Sequence, residues 1–77
     1  LFPQVLKNVP FDIEKKPLDD KKVKLAIERI EDKLGDEGRM LIRKSGTEPL
    51  IRIMLEGEDL ILIEKYANFL VEKVNNV

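Results

Sequence analysis

Residues 43–52 of this 77-residue chain read RKSGTEPLIR, placing two guanidinium groups, two short hydroxyls, a glycine and a proline in one short stretch. A phosphate dianion is held by donors that converge on it without steric or electrostatic penalty. Arg43 and Arg52, at the two walls of a turn, can each make bidentate contacts with phosphate oxygens. Ser45 and Thr47 add hydroxyl donors. Gly46 lets the backbone bend so that successive N–H groups face inward as an anion-binding nest. At roughly 1.5–3 kcal/mol per charged hydrogen bond, about four or five such contacts hold a phosphoryl group at millimolar to micromolar strength. Glu48 opposes an anion, and is expected to point away and hold an arginine in place. The stretch is not a P-loop, because it lacks G-x-x-x-x-G-K-[ST] and no helix follows it. The same residues also suit a plain polar hairpin loop, since Ser, Gly, Thr and Pro are turn formers. Arg43 and Arg52 would then be solvated strand charges paired with Glu48 or Glu56. Spacing alone leaves both readings standing.

Such a loop is only as well placed as the elements on either side of it. Ahead of it RMLIRK (residues 39–44) alternates as a strand, and after it LIRIML (residues 50–55) does the same. In the second of these, Ile51, Ile53 and Leu55 share one face while Leu50, Arg52 and Met54 share the other. Residues 1–9 form a further strand, with Val5 and Val9 on one face, Lys7 between them, and Pro3 and Pro10 at its ends. A polar connector follows over residues 11–17. From Asp19 or Asp20 the period turns helical, with Val23, Ala26, Ile27, Ile30 and Leu34 on one stripe. An aspartate N-cap and Gly35 mark the ends of that helix. Asp36-Glu37-Gly38 is a turn. Gly57 closes the last strand, and residues 58–74 form a second amphipathic helix with the stripe Ile63, Tyr66, Ala67, Leu70 and Val74. Ile61 and Leu62 make its first turn apolar nearly all round, a surface suited to another domain. Met40 and Met54 read as packing residues, and Tyr66 and Phe69 as helix-face residues. The order β-α-β-β-α predicts an α+β two-layer sandwich. Both helices cover one face of a mostly antiparallel sheet, and the other face stays open.

Length and composition bound what such a domain does. Residues 1–77 make one small domain of marginal stability, burying about 60 % of the surface its unfolded chain exposes. With 43 % apolar and 38 % charged residues the chain is neither disordered nor a membrane span. No secretory leader pattern opens it, and its start without methionine reads as a segment cut from a longer protein. It has no cysteine and no histidine, which removes thiolate metal sites, disulfides and the commonest general base. A net charge of −1 argues against a nucleic-acid surface. Lys21, Lys22 and Lys24 are a solvated face offset by Asp19, Asp20 and Glu28. The pairs Asp19-Asp20, Glu31-Asp32 and Glu58-Asp59 never bring three carboxylates together, so no metal site is expected.

Beyond composition, the string RKSGTEPLIRIMLEGED (residues 43–59) closely resembles the C-terminal phosphate-binding segment of the α-D-phosphohexomutases. PQVLKNV (residues 3–9) resembles the first strand of the same domain, so that the likeness covers essentially the whole chain. Lys44 and Gly46 favour the branch acting on glucosamine phosphates. Relatives acting on mannose or glucose phosphates commonly carry proline after the first arginine, or asparagine where Gly46 stands.

The resemblance implies a fold like that of the TATA-box-binding protein, and a place as the fourth domain of a four-domain cytoplasmic mutase. The other three domains would supply a phosphoserine, an Mg²⁺ site and a sugar-recognition loop. Such an enzyme moves a phosphoryl group between the 6- and 1-positions of a hexose through a 1,6-bisphosphate. In the glucosamine branch it serves amino-sugar (UDP-N-acetylglucosamine) synthesis for cell walls. By match of position Arg43, Ser45, Gly46, Thr47 and Arg52 would bind the phosphate that is not transferred. The resemblance gives this domain no catalytic residue and no cofactor of its own. Two alternatives remain beside it: the same domain of a mannose or glucose phosphate mutase, and a stand-alone α+β binding module. An RNA-binding module is disfavoured by near-neutral charge and the lack of strand aromatics.

Overall fold

The computed structural model describes residues 2–77. Strand β1 (Gln4–Pro10) is followed by helix α1 (Lys21–Leu34), strands β2 (Arg39–Lys44) and β3 (Leu50–Glu56), and helix α2 (Leu60–Asn75). The sheet order is β1-β3-β2 and both pairings are antiparallel. This is the α+β sandwich that the alternation and the two helical stripes require. The first strand begins at Gln4 rather than at the chain start, and Leu1 lies outside the described residues. It runs on to include Pro10, which an edge strand tolerates because a missing N–H on its outer side breaks no ladder bond.

Caps set the helix ends. The Lys22 N–H donates to the Asp20 carboxylate at 2.8 Å, which satisfies one of the donors left over at the start of α1. At the other end the Gly35 N–H donates to the Glu31 carbonyl, and the glycine takes φ 54°. Asp59 caps α2 in the same way, accepting from the Leu62 N–H at 3.2 Å, so Glu58 stays outside the helix. Two short 3-10 turns carry no periodic signal in the sequence. One is Pro17–Asp19, with Pro17 buried beneath it, and the other is Gly35–Glu37.

One face of the sheet carries the core. Val5 and Val9 of β1 and Ile51, Ile53 and Leu55 of β3 pack against Val23, Ala26 and Ile30 of α1 and Ile63, Ala67, Leu70 and Val74 of α2. Ile51 and Leu55 are wholly shielded from solvent. Across the helix layer the Lys33 Nζ sits 5.8 Å from the Tyr66 ring centroid and links α1 to α2. Where α1 hands over to β2 the chain passes very close to β3. A Cβ on Gly38 would stand 2.8 Å from both the Glu56 carbonyl oxygen and Leu34 Cδ2. Leu60, Ile61 and Leu62, the apolar first turn of α2, are exposed.

Candidate functional site

Strand register decides what the open face presents. Its residues fall into rows that cross all three strands. Gln4, Glu56 and Arg39 form one row, Leu6, Met54 and Leu41 the next, and Asn8, Arg52 and Arg43 the third. The three rows differ in how they are satisfied. In the first, Gln4 Nε2 donates to a Glu56 carboxylate oxygen at 2.7 Å. The second is apolar. The third holds donors and no acid.

Arg43 and Arg52 therefore stand directly opposite each other, closer than two walls of a turn require. Like charges in that arrangement repel. With guanidinium groups about 6 Å apart the repulsion is about 0.7 kcal/mol in water-like surroundings, rising several-fold at an effective dielectric of 20. Both side chains are exposed, which keeps the lower figure relevant. Glu56 lies four residues along the strand from Arg52, about 13 Å away, and is engaged by Gln4. The plain reading that paired these arginines with Glu56 therefore fails on geometry. A depression of about 460 Å³ lies over the two rows, lined by Leu6, Asn8, Leu41, Arg43, Arg52 and Met54 among others.

The loop follows at the same end of the sheet. The Ser45 N–H donates to the Leu50 carbonyl at 2.8 Å and closes the hairpin. The Leu50 N–H then donates to the Glu48 carbonyl at 2.7 Å, a three-residue turn around Pro49. Proline holds φ close to the value that turn needs. The Phe11 N–H donates to the Pro49 carbonyl at 2.9 Å and ties the returning loop to the end of β1. Among the described residues the N–H groups of Gly46, Thr47 and Glu48 meet no backbone acceptor. Three successive amides are thus left for a ligand or water.

Gly46 does not take the left-handed conformation that its type permits. A Cβ there would meet nothing within 4 Å. What the glycine provides in this loop is an open approach to its neighbouring N–H groups. Ser45, Gly46 and Thr47 do not line the depression itself. The structure brings Arg43 and Arg52 together and puts the three loop residues beside them. Lys44, one residue on, belongs to the opposite side of the sheet, with its Nζ 5.6 Å from the Phe11 ring centroid. Asn8 shares the arginine row, and its meeting with Arg52 is not legible in the sequence, because the pairing of β1 with β3 is a tertiary fact.

The chain is thus a small α+β sandwich with an acid-free row of two arginines and an asparagine on its open face, beside a hydroxyl-and-glycine loop. The chain belongs to the phosphoglucomutase/phosphomannomutase C-terminal domain family, whose model matches residues 6–73. Relatives named phosphoglucosamine mutase narrow the likeness further. The protein from Aliivibrio salmonicida is 55 % identical over 74 residues, 96 % of this chain and 17 % of the relative. That from Photobacterium profundum is 51 % identical over 76 residues, 99 % of this chain and 17 % of its own length. The Haemophilus ducreyi protein matches to the same extent, 51 % over 76 residues. The chain thus spans about a sixth of the length of these relatives (17 %).

Proposed function

We propose that this chain is the phosphate-gripping domain of a longer phosphoglucosamine mutase, and that Arg43, Ser45, Gly46, Thr47 and Arg52 hold the substrate phosphate that is not being transferred. The observation that carries this reading is the opposed pair Arg43 and Arg52, in a row with no carboxylate, beside three N–H groups without backbone acceptors. A phosphate dianion between the arginines turns their mutual repulsion into two attractions. It also gives the loop amides the acceptor they lack. Likeness to relatives named for glucosamine phosphate supports that sugar over mannose or glucose phosphate.

In this reading the domain's contribution is geometric. The interconversion of glucosamine 6-phosphate and glucosamine 1-phosphate needs the reacting oxygen in line with the phosphoryl donor. A clamp on the distal phosphate fixes that alignment, and positioning of this kind lowers a barrier by several kcal/mol. No residue of this chain transfers a proton or a phosphoryl group. Among the described residues no three His, Cys, Asp or Glu side chains gather into a metal site. The Mg²⁺, the phosphoserine and the sugar-recognition loop that the resemblance implies belong, in this proposal, to the remainder of the longer chain. Among the described residues no helix is long and apolar enough to cross a membrane, and the proposed enzyme works in the cytoplasm.

In the full-length enzyme, Arg43→Ala and Arg52→Ala should each raise KM and lower kcat/KM by about 10- to 150-fold, the loss of one charged contact. Circular dichroism should be unchanged. An unaltered kcat/KM in both variants would reduce the two arginines to surface charges.

A further inference from the structure

The arginine row has a third member that the phosphate reading leaves unused. Asn8 pairs with Arg52 across β1 and β3, as Arg43 does across β2 and β3, and it lines the same depression. Its amide is exposed, and among the described residues no side-chain hydrogen bond engages it. Asn8 and Arg43 flank the central strand, about 10 Å apart at two strand spacings. The donor of an asparagine also stops well short of the tip of an arginine. A bare phosphate held between the two guanidinium tips is therefore out of its reach.

Next to this row lies the apolar one. Leu6 is 72 % exposed and Leu41 41 % exposed, and Met54 between them is half-buried. The two rows stand about 7 Å apart, two residues along each strand. One edge of the depression thus presents two guanidinium groups, its floor offers C–H and methyl contacts, and its far side offers one neutral amide. A ligand that satisfies all three has a phosphate at one end. It also has a body a few ångström wide, with one apolar face and hydroxyls on its rim.

We infer that Asn8, with the Leu6–Met54–Leu41 row beneath, is a further ligand-contacting subsite that recognises the hydroxylated ring of a phosphate monoester. The inference rests on the proposed function, and it extends that function from the phosphate to the ring attached to it. The Asn8 amide donates to or accepts from a ring hydroxyl, while the methyl row covers the C–H face of the ring.

The test is a nuclear magnetic resonance titration of this chain with methyl phosphate and, separately, glucosamine 6-phosphate. Both probes should move the Gly46 and Thr47 amides. Only the sugar phosphate should move the Asn8 side-chain amide and the Met54 methyl. Asn8→Ala should weaken glucosamine 6-phosphate by roughly three- to tenfold and leave methyl phosphate unchanged. The residue is exposed on an edge strand, so the variant keeps the fold, and the wild-type shifts test the inference in any case. If both probes bind and the Asn8 and Met54 signals stay still, or if Asn8→Ala weakens both probes equally, the subsite is refuted while the phosphate clamp stands. If neither probe moves the loop amides, the clamp falls and the subsite with it.

Discussion

Replacing Arg43 by glutamine should stabilise the unliganded chain and remove its response to phosphate. The first half follows from the register. Arg43 and Arg52 are directly opposite on the open face, and their repulsion in water-like surroundings is about 0.5 kcal/mol once the flexible tips swing apart. For a domain of this size, 1 kcal/mol moves the melting temperature by about 4–8 °C, so Arg43→Gln should melt about 2–4 °C higher at low salt. In 1 M NaCl the screening length falls to about 3 Å, and the gain should disappear. The second half follows from the site. A ligand present at ten times its dissociation constant stabilises the folded chain by about 1.4 kcal/mol, about 6–11 °C. Losing a charged contact worth about 1.5–3 kcal/mol raises the dissociation constant at least tenfold. The same phosphate concentration should then protect Arg43→Gln by no more than about 0.4 kcal/mol. Thermal melts of both proteins with and without phosphate, at low and high salt, read all four numbers. The reasoning is refuted if the variant melts lower at low salt, or if phosphate protects both proteins equally.

Two further predictions concern what holds the site in place. Ile53 sits in the centre of the sheet at 1 % exposure, and Ile53→Ala should cost about 2–5 kcal/mol. That is a large share of a total of about 4–12 kcal/mol for 77 residues, and urea unfolding should show the midpoint collapse. Gly38→Ala forces a methyl to 2.8 Å from the Glu56 carbonyl oxygen and should cost about 1–3 kcal/mol by overpacking. A midpoint equal to that of wild type would show that the passage from α1 to β2 is looser than described.

Much of the fold is legible in the sequence because each element carries a clean period. The stripe from Val23 to Leu34 and the alternation of Ile51, Ile53 and Leu55 admit one reading each, and both land in the core. Edges were less legible. The 3-10 turns at Pro17–Asp19 and Gly35–Glu37 are too short to leave a period. The residues of the loop are visible by type, but their arrangement is not. The alternation bounds the loop at residues 45–49, but Arg43 faces Arg52 because the Ser45 N–H bonds to the Leu50 carbonyl across the hairpin, a register that no local pattern states. Asn8 could have been assigned to the open face from Val5 and Val9 alone, since strand residues alternate. That it meets Arg52 depends on the order β1-β3-β2, which no local pattern states. Gly46 runs the other way. Its type permits a backbone that other residues avoid, whereas the conformation there would accept a side chain and the open space beside it is the feature that counts.

The central claim is that residues 45–48 and the opposed arginines form a clamp for a phosphate group. Titrating this chain with inorganic phosphate while following backbone amide shifts tests it most directly. The Gly46, Thr47 and Glu48 signals should move first and saturate together between micromolar and tens of millimolar phosphate. Shifts confined to the helix layer, or none at tens of millimolar, would contradict it.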